Sequence, residues 1–479
     1  MLLRQIFDPY LAQYAYLIGC QRTGEALVID PERDIDQYRN LAAANGLRIT
    51  AVAETHIHAD FVSGGREFAG DPAVHLYLSA EGGPDWTYQW PHGRRNTHLL
   101  RDGEAFFVGN IRIEAVHSPG HTPEHLSFLI TDVGGGADEP MLLATGDFVF
   151  VGDVGRPALL ETAAGVKGVM EPSARQLRAS LTGKLAPLAD YLQILPAHGA
   201  GSACGKALGA VPTTTLGYER RFNGALKLAV SDEEAFVRGI LAGQPEPPPY
   251  FATMKRVNRD GVAVTGGPPH AAHLGAGAFR KAWEGGDGIR ILDARDDRAA
   301  FDDAHVPRAI HAPLHSPFFS TAAGSYLVPE DRILLVVESA ADVDLAVRQL
   351  YRIGLDNVAG WITVPEAEAA GLLAAKLSRL DFPDFDPEKA RSDGRILDVR
   401  TDAEFQQGHV AGALSIPYTR LRVRRHEVPR DRRLYVHCGS GKRAALAASY
   451  LQAEGFDVVH VDGICAACEQ IAQREGVSH

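Results

Sequence analysis

The sequence predicts an α/β protein of several domains, and three observations lead to this fold class. In the first half, His and Asp residues follow the ends of four short apolar runs of strand type, which is the arrangement of a metal pocket at the edge of a sheet sandwich. A proline-rich segment at 244–250 then excludes helix and central strand. In the second half, one strand-and-helix pattern occurs twice, and strands alternating with helices indicate parallel sheets covered on both faces.

Composition excludes several classes of function. The chain has 479 residues, of which 45% are hydrophobic and 23% charged, enough for two or three domains. A net charge of −12 argues against nucleic acid as a partner. The apolar runs are shorter than the ~18 residues of a membrane span, and the N-terminus does not resemble a secretory signal. Five scattered cysteines indicate no disulfide framework, so we expect a reducing, cytoplasmic location.

The most informative stretch, E-T-H-I-H-A-D-F-V-S-G-G, carries His56, His58 and Asp60 at alternate positions. It directly follows the apolar run 49–53, so the three side chains cluster where a buried strand opens into a loop. Burying this much polarity without a metal or a dense hydrogen-bond network would be costly. The stretch therefore predicts a metal site, whereas a lone buried histidine would indicate only a satisfied core residue.

Three further polar residues take the same position after predicted strands. The strands at 111–116, 141–145 and 193–196 lead to His121, Asp147 and His198, respectively. Upstream of the metal motif we predict a strand pair with a turn at 22–25 and a helix over 35–45. Because all four strands deliver a His or Asp at the same end, we expect these side chains to converge on one pocket.

The motifs H-x-H-x-D, S-P-G-H-T, T-G-D and P-A-H-G, in this order, resemble the metallo-β-lactamase superfamily, whose fold is an αββα sandwich. The resemblance covers about the first 240 residues. In hydrolases of this superfamily, such as glyoxalase II, the first motif continues with another His that holds a second zinc. Phe61 stands at that position here. The resemblance therefore implies a mononuclear centre, as in persulfide dioxygenases, whose iron is held by two His and one Asp.

Carried over by position, the resemblance implies one mononuclear Fe(II) site with the ligands His56, His121 and Asp147. The residues expected to surround these ligands and line the pocket are His58, Asp60 and His198. Two imidazoles and one carboxylate leave three coordination positions open, which non-haem iron(II) uses for substrate and O2 together. The residues alone do not distinguish iron from zinc, and only the resemblance favours iron.

Two arginines and one cysteine are candidates for substrate contacts. Arg156 matches an arginine near the substrate of related persulfide dioxygenases, and Arg220 lies in T-L-G-Y-E-R-R-F-N, which resembles the segment closing their thiol pocket. A guanidinium suits an anionic substrate tail because it donates two parallel hydrogen bonds; surface ion pairs are the alternative for both. Cys204 lies in a loop where related multidomain proteins carry a cysteine, and it either relays sulfur or is a small buried thiol.

The repeated pattern, L-D-x-R followed by Phe and by His-Val, begins near Asp293 and again near Asp398. It resembles the rhodanese domain, which implies two α/β/α units with parallel sheets. The domains expected are 1–243 (metallo-β-lactamase fold), 244–270 (proline-rich linker and connector), 271–375 (inactive rhodanese-like), 376–390 (linker) and 391–479 (active rhodanese).

Only the second copy has a nucleophile after its second strand. Cys438 is followed by Gly439, Ser440, Gly441, Lys442 and Arg443, a loop of the length that rhodaneses use for sulfur. Its glycines can turn backbone N–H groups inward, and the following helix points its positive end at the sulfur. We expect this environment to lower the thiol pKa and to stabilise a persulfide anion.

In the first copy the matching positions are Val337, Glu338 and Ser339, so it is predicted to be catalytically inactive, a spacer or docking scaffold. A further motif, Cys465-x-x-Cys468, has two interpretations. It is either a redox pair that resolves a Cys438 persulfide or a pair of small buried residues.

The complete order resembles bacterial persulfide dioxygenase–sulfurtransferase fusions of sulfide detoxification. That resemblance implies oxidation of a glutathione or coenzyme A type persulfide with O2 to thiol and sulfite. It also implies sulfur transfer through Cys438 to or from sulfite or thiosulfate, and we expect a homo-oligomer without nucleic acid or membrane partners. The alternatives are a zinc-dependent glyoxalase II-like thioester hydrolase fused to a sulfurtransferase, and a non-catalytic sulfur carrier or sensor.

Overall fold

The computed structural model describes residues 1–157, 170–202, 204–205, 208–209, 211–244, 246–286, 288–465 and 468. The chain divides into two compact units, which are Met1–Pro247 with Phe251–Gly267 and Pro248–Tyr250 with Pro268–His479. Pro245 of the predicted linker and residues 469–479 of the predicted C-terminal domain lie outside the described residues.

The first unit contains two six-stranded sheets. The first sheet holds, in spatial order, β1 (Leu2–Asp8), β2 (Gln13–Cys20), β3 (Glu25–Ile29), β4 (Arg48–Ala53), β5 (His75–Ser79) and β6 (Thr97–Leu100). The second holds, also in spatial order, β7 (Ala105–Val108), β8 (Ile111–His117), β9 (Leu126–Thr131), β10 (Leu142–Gly146), β11 (Gln193–Pro196) and β12 (Thr214–Thr215). Strands β3 to β6 pair in parallel, as do β10 and β11, and the other neighbours are antiparallel.

Helices cover both outer faces of the two sheets. They are α1 (Asp36–Ala44), α2 (Gly65–Phe68), α3 (Met170–Lys184), α4 (Leu216–Phe222), α5 (Gly224–Ser231), α6 (Glu233–Leu241) and α7 (Phe251–Asp260). Apolar side chains of both sheets meet in a central core, to which Leu27 and Ile113 belong. Tyr38 of α1 packs on the first sheet, and Leu177 of α3 packs on the second. The αββα sandwich predicted for this part of the chain is confirmed.

The predicted elements agree closely with the structure. The strands predicted at 49–53, 111–116 and 193–196 are β4, β8 and β11, and the one predicted at 141–145 is shifted by one residue to β10. The predicted helix over 35–45 is α1. Gly46 follows it with a φ of +69°, a backbone conformation that favours glycine just beyond a helix end.

The second unit contains two parallel sheets, which confirms the fold predicted for this half. The first copy has the spatial order β14 (Ala309–His311), β13 (Ile289–Asp293), β15 (Arg332–Val337) and β16 (Val358–Thr363). The second has the order β17 (Ser378–Asp381), β21 (Val458–Asp462), β20 (Arg433–His437), β18 (Gly394–Asp398) and β19 (Leu414–Ser415). All neighbouring strands of both sheets are parallel.

The helices of the second unit alternate with these strands. In the first copy they are α8 (Ala276–Glu284), α9 (Arg298–Asp303), α10 (Phe319–Tyr326), α11 (Asp342–Arg352) and α12 (Val364–Ala369). In the second copy they are α13 (Pro387–Asp393), α14 (Asp402–Gln407), α15 (Leu421–Arg424) and α16 (Lys442–Ala453).

Single 3-10 turns occur in both units. They lie at Pro84–Trp86 and Val133–Gly135 in the first unit and at Phe382–Asp384, Tyr418–Arg420 and Arg425–Glu427 in the second.

The repeated L-D-x-R motif forms the same buried ion pair in each copy. Arg295 donates to Asp293 and Arg400 donates to Asp398, each with Nη2 at 2.7 Å from Oδ2. Each arginine also donates to a backbone carbonyl beyond the next helix, at Ala304 in the first copy and at Gly408 in the second. The motif therefore ties a strand to the helix that follows it and has a structural role in both copies.

Candidate metal centre and sulfurtransferase loop

The ends of β4, β10 and β11 and the loop after β8 bring the predicted metal-binding residues together. Ligand atoms of His56, His121 and Asp147 all lie within 4.8 Å of one another. The closest approach is between His121 Nε2 and Asp147 Oδ2, at 3.3 Å. All three side chains are buried, because each follows a core strand directly or through a short loop. A site predicted from strand ends is thus assembled in space.

A second group of possible ligands adjoins the first. Asp60, His198 and Cys204 also offer ligand atoms within 4.8 Å of one another. His198 Nε2 lies 3.4 Å from Asp60 Oδ2 and 3.4 Å from Asp147 Oδ1, so this imidazole joins the two groups. Cys204, which sequence reasoning offered as a sulfur relay or a buried thiol, therefore lies beside the cluster. Burial raises the pKa of its thiol well above the ordinary value.

Backbone carbonyls fix the orientation of two imidazoles. Nδ1 of His121 donates to the Arg156 carbonyl at 3.0 Å, and Nδ1 of His198 donates to the Ala12 carbonyl at 3.1 Å. In each ring, the proton on Nδ1 leaves Nε2 with a lone pair directed toward the cluster. Such outer hydrogen bonds are typical of metal-binding histidines, since they set the tautomer and hold the ring in place.

A hydroxyl sets the tautomer of His56 in the same way. The Thr55 hydroxyl donates its proton to Asp30 Oδ2 at 2.8 Å. Its oxygen lies 3.0 Å from His56 Nδ1 and so accepts from that nitrogen, which leaves His56 Nε2 free to bind a cation. Asp30 also accepts from Nε2 of His58 at 3.1 Å. One buried carboxylate therefore holds both histidines of the first motif.

Phe61 makes the position next to Asp60 apolar. Its side chain is fully buried and its ring lies 4.5 Å from that of His58, centroid to centroid. A phenylalanine there offers no ligand to a second cation. A residue distant in sequence fixes the backbone of this motif. Asn258 Nδ2 donates to the carbonyls of Phe61 at 2.7 Å and His58 at 2.8 Å. Asn258 lies on α7, inside the segment predicted as a connector, so this segment is part of the site's support.

His125 is a site residue that sequence reasoning missed. Its Nε2 accepts from the backbone N–H of Asp147 at 3.1 Å, and its Nδ1 donates to Ser118 Oγ at 2.9 Å. A Cβ on Gly146 would lie 2.7 Å from His125 Nε2 and 2.5 Å from Thr55 Oγ1, so only glycine fits before Asp147. Burial lowers the pKa of His125 well below the usual range, which keeps Nε2 an acceptor. The sequence signal for this role was the second histidine of the motif G-H-T-P-E-H.

The donor set fits a metal ion. Among the described residues, the buried atoms without a hydrogen-bond partner include Asp60 Oδ2, both carboxylate oxygens of Asp147 and Nε2 of His198. Leaving such atoms unpaired costs about 1–3 kcal/mol each. His198 Nε2 lies 3.4 Å from both Asp60 Oδ2 and Asp147 Oδ1, and His121 Nε2 lies 3.3 Å from Asp147 Oδ2, separations that suit ligand atoms around a shared cation. Imidazole and carboxylate ligands suit iron and zinc alike.

The two predicted substrate arginines lie in different surroundings. Arg156 is fully buried, and burial lowers its guanidinium pKa to about 10, although the negative charge of Asp147 acts in the opposite direction. Arg220 instead pairs with Asp190, an exposed residue, and donates to the Leu188 carbonyl at 3.0 Å. The structure thus brings Arg156 to the cluster. For Arg220 it favours the surface ion pair that the sequence left open.

The loop that begins with Cys438 follows β20. Cys438 is buried, and α16 begins at Lys442, four residues after it. Gly441 has a φ of +80°, and a Cβ there would lie 1.8 Å from Asp462 Oδ1, so the loop requires glycine.

Arg443 donates two hydrogen bonds of 2.7 Å to Glu404. Burial opposes ionisation of Glu404, but Arg443 outweighs it and lowers the carboxyl pKa to about 2. Arg443 is therefore paired and not free beside the thiol.

Two other features surround this loop. Cys465 and Cys468 form a disulfide, which favours the redox-pair interpretation over two unrelated small residues. The N–H of Cys465 donates to the Gly439 carbonyl at 3.1 Å, so the pair adjoins the loop. A cavity of about 350 Å³, lined by Lys442 and by Arg298, lies between the two copies.

In the first copy, the strand register identifies the residue that replaces the cysteine. Asp293 pairs with Val336 as Asp398 pairs with His437, so Val337 stands where Cys438 stands. No thiol or hydroxyl nucleophile occupies that position.

Within the described residues, helices long and apolar enough to cross a bilayer are absent.

Comparisons with known proteins agree with this architecture. A family model described as the metallo-beta-lactamase superfamily matches residues 9–198, and one described as a rhodanese-like domain matches 386–467. Persulfide dioxygenase ETHE1, mitochondrial, of Bos taurus is 30% identical over 206 residues, covering 41% of this chain and 68% of the relative. A probable hydroxyacylglutathione hydrolase of Schizosaccharomyces pombe is 27% identical over 189 residues, covering 39% and 63%.

A solved structure extends the similarity beyond the first unit. The metallo-beta-lactamase from Staphylococcus aureus subsp. aureus COL is 38% identical, with a TM-score of 0.66, and covers 76% of this chain and 99% of that one. The chain therefore belongs to the metallo-beta-lactamase superfamily, as a homologue of persulfide dioxygenases fused to a C-terminal rhodanese-like domain.

Proposed function

We propose that the first unit oxidises a small thiol persulfide with O2 at one iron ion, and that Cys438 transfers sulfane sulfur. The persulfide is of the glutathione or coenzyme A type, and the process serves sulfide detoxification. The overall oxidation, RSSH + O2 + H2O → RSH + H2SO3, balances in atoms and electrons. We assign it to 1–243 together with α7, sulfur transfer to 391–479, and no catalysis to 271–375.

The observation that carries the proposal is the asymmetry of the cluster. His56, His121 and Asp147 form one compact group with two imidazoles and one carboxylate. Where a dinuclear hydrolase would continue its ligand set, the chain has the buried Phe61. Such a group supports one ion with open coordination positions.

These three residues would hold the iron, which when bound brings persulfide and O2 together and activates O2. The chain's own residues orient the reactants and protect them. His121 and His56 keep their protons on Nδ1 through Arg156 and Thr55, so Nε2 stays available. The Arg156 guanidinium supplies positive charge next to Asp147 for an anionic sulfur or carboxylate.

The sulfur transfer uses Cys438 in two balanced steps. In the first, Cys438–SH and RSSH exchange sulfur to give Cys438–S–SH and RSH. In the second, sulfite takes the outer sulfur, so Cys438–SH and thiosulfate are formed. The loop glycines and the first turn of α16 provide N–H donors that suit the persulfide anion. Cys204 is a candidate relay within the first unit, because its sulfur lies beside Asp60 and His198.

A zinc thioester hydrolase is the second candidate. It is favoured by the adjacency of Asp60 and His198 to Asp147, which retains part of a second ligand set, and by the similarity to a probable hydroxyacylglutathione hydrolase. It requires two ions in spite of Phe61. The dioxygenase consumes O2 during turnover, whereas the hydrolase turns over without it.

The test compares two carboxylate variants of the full chain, purified without O2 and supplied with iron(II). Wild type should consume O2 when glutathione persulfide is added and should not hydrolyse S-lactoylglutathione without O2. Asp147→Asn should lower O2 uptake more than about 100-fold, whereas Asp60→Asn should cost less, as removal of an outer partner does. Hydrolysis without O2, with equal loss in both variants, would establish the hydrolase instead.

A further inference from the structure

One short helix of the inactive copy contacts the strand that backs the sulfurtransferase loop. Arg298 and Asp302 lie four residues apart on α9 and therefore share a face. His460 and Asp462 lie two residues apart on β21 and share a face of that strand. The two pairs meet across the boundary between the copies.

The first connection runs from Asp302 to the loop through a histidine. His460 Nδ1 is hydrogen-bonded to Asp302 Oδ2 at 2.8 Å, and His460 Nε2 donates to the Gly441 carbonyl at 3.2 Å. The ring therefore links a carboxylate of one copy to the loop of the other. Asp302 and His460 are both buried, which shields the connection from water.

The second connection reaches the same glycine. Arg298 donates to Asp462 with Nη2 at 2.9 Å from Oδ1 and Nε at 3.2 Å from Oδ2. A Cβ on Gly441 would lie 1.8 Å from Asp462 Oδ1, so this carboxylate packs directly against the Cα of Gly441. The helix α9 thus holds the two β21 side chains that contact Gly441.

Holding the Gly441 carbonyl in place also sets the direction of the next backbone N–H, that of Lys442. The peptide bonds of the described chain are all trans, so the C=O of Gly441 and the N–H of Lys442 point in opposite directions in one plane. With the carbonyl held by His460 and by the N–H of Ala445 at 2.9 Å, the Lys442 N–H points away from β21. It belongs to the first turn of α16, whose N–H groups have no acceptor within the helix.

We propose that Asp302 and Arg298 of the inactive copy are positioning residues for sulfur transfer at Cys438. They hold His460 and Asp462, and these hold the Gly441–Lys442 peptide so that the first N–H groups of α16 face the sulfur. The inactive copy is therefore required by the active one and is more than a spacer. This inference rests on the proposed sulfurtransferase function of Cys438.

The test measures thiosulfate formed from glutathione persulfide and sulfite without O2. Asp302→Ala should lower kcat/KM about tenfold or more, because small displacements of a positioned group cost this much. Asp302→Asn, which still accepts from His460 Nδ1, should recover activity to within about threefold of wild type. His460→Gln should resemble Asp302→Ala, and the double variant should be no worse than the worse single one.

The matched control is Arg290→Met. It removes another contact between the copies, the ion pair of Arg290 with Glu454 at 2.8 Å. Glu454 follows the last residue of α16, at the end of the helix away from the loop. It should change kcat/KM less than about twofold. Equal losses in Arg290→Met and Asp302→Ala would show a merely structural role and overturn the inference. So would an unchanged Asp302→Ala.

Amide hydrogen exchange separates this inference from the proposed function. Asp302→Ala should raise exchange of the amides from Gly439 to Ala445, and Arg290→Met should not. If wild type forms no thiosulfate, the proposed sulfur transfer fails, yet faster exchange confined to the loop would still support the connection. Unchanged loop exchange in Asp302→Ala would overturn it whatever the activity.

Discussion

The two rhodanese-like copies share a scaffold and differ at one loop. Each has the buried Asp–Arg pair at the end of a matching strand, β13 in the first copy and β18 in the second. Each stacks a phenylalanine on a histidine, with ring centroids 4.1 Å apart for Phe301 and His305 and 3.8 Å apart for Phe405 and His409. The repeat that is visible in the sequence is therefore the part that builds the fold.

The loops after β15 and β20 occupy matching positions and carry opposite chemistry. In the first, Asp342 opens α11 and its carboxylate accepts from the N–H of Ser339 at 3.0 Å and from the Ser339 hydroxyl at 3.1 Å. An internal anion thus lies in the first turn of this helix and ties down the loop that precedes it. In the second, Lys442 and Arg443 open α16. The same fold therefore carries an acidic first turn after one loop and a basic first turn after the other.

The largest expected effect comes from removing the nucleophile. Cys438→Ser should lower thiosulfate formation at least about 1,000-fold, because its hydroxyl cannot carry the sulfur. Persulfide-dependent O2 uptake should stay within about twofold of wild type and leave sulfite as the product. Loss of both activities in this variant would show that the two units act as one site.

The shared ion pair should matter equally in both copies. Asp293→Asn and Asp398→Asn each leave a buried arginine without its carboxylate, which costs about 3 kcal/mol or more. Hydrogen exchange should rise at β13 in the first variant and at β18 in the second. A loss of sulfur transfer in Asp398→Asn without faster exchange would mean that the pair has a catalytic role as well.

A smaller effect, dependent on pH, is expected from the pair found only in the active copy. The folded-state pKa of Glu404 is about 2, below its ordinary value, so its pairing with Arg443 stabilises the protein above about pH 4.5 and fades as pH falls toward 2. Glu404→Gln should destabilise by about 1 kcal/mol or less at pH 7, since the pair is partly exposed. Urea unfolding at pH 7 and pH 3 should show the difference shrinking in acid; a difference that grows would contradict this sign.

The smallest effect is expected from giving the first copy a thiol. Val337→Cys should add no sulfur transfer to the Cys438→Ser chain, because Asp342 and Asp344 place negative charge in the first turn of α11, where it would repel a sulfur anion. Thiosulfate assays of the double variant test this. Adding Asp342→Asn should still restore less than about 1% of wild-type activity, since the glycines of the active loop remain absent.

Much of the fold and part of the site could be predicted from sequence because the signals are local. His56, Asp147 and His198 follow strands that are recognisable from their apolar runs. The parallel sheets follow from the repeat. Arg156 could be placed only through resemblance. For Arg220 the sequence left a substrate contact and a surface ion pair open, because a nearby motif does not show which way a side chain points.

The remaining contacts depend on residues far apart in the chain. Asn258 holds the first metal motif across 200 positions, and His460 joins two copies through Asp302 across 158 positions. Neither residue has a local pattern that indicates a role. His125 is intermediate, since it lies four residues after His121 in one sequence motif but accepts from a backbone N–H that only the fold brings near.

Counting the metal of the first unit tests the central claim most directly. The full chain should be purified without O2, loaded with iron(II) and analysed for iron per chain alongside its Phe61→His variant. We predict one iron per chain in wild type, with O2 consumed in a one-to-one ratio to glutathione persulfide. Two ions per first unit in wild type, with no O2 consumed, would contradict the account.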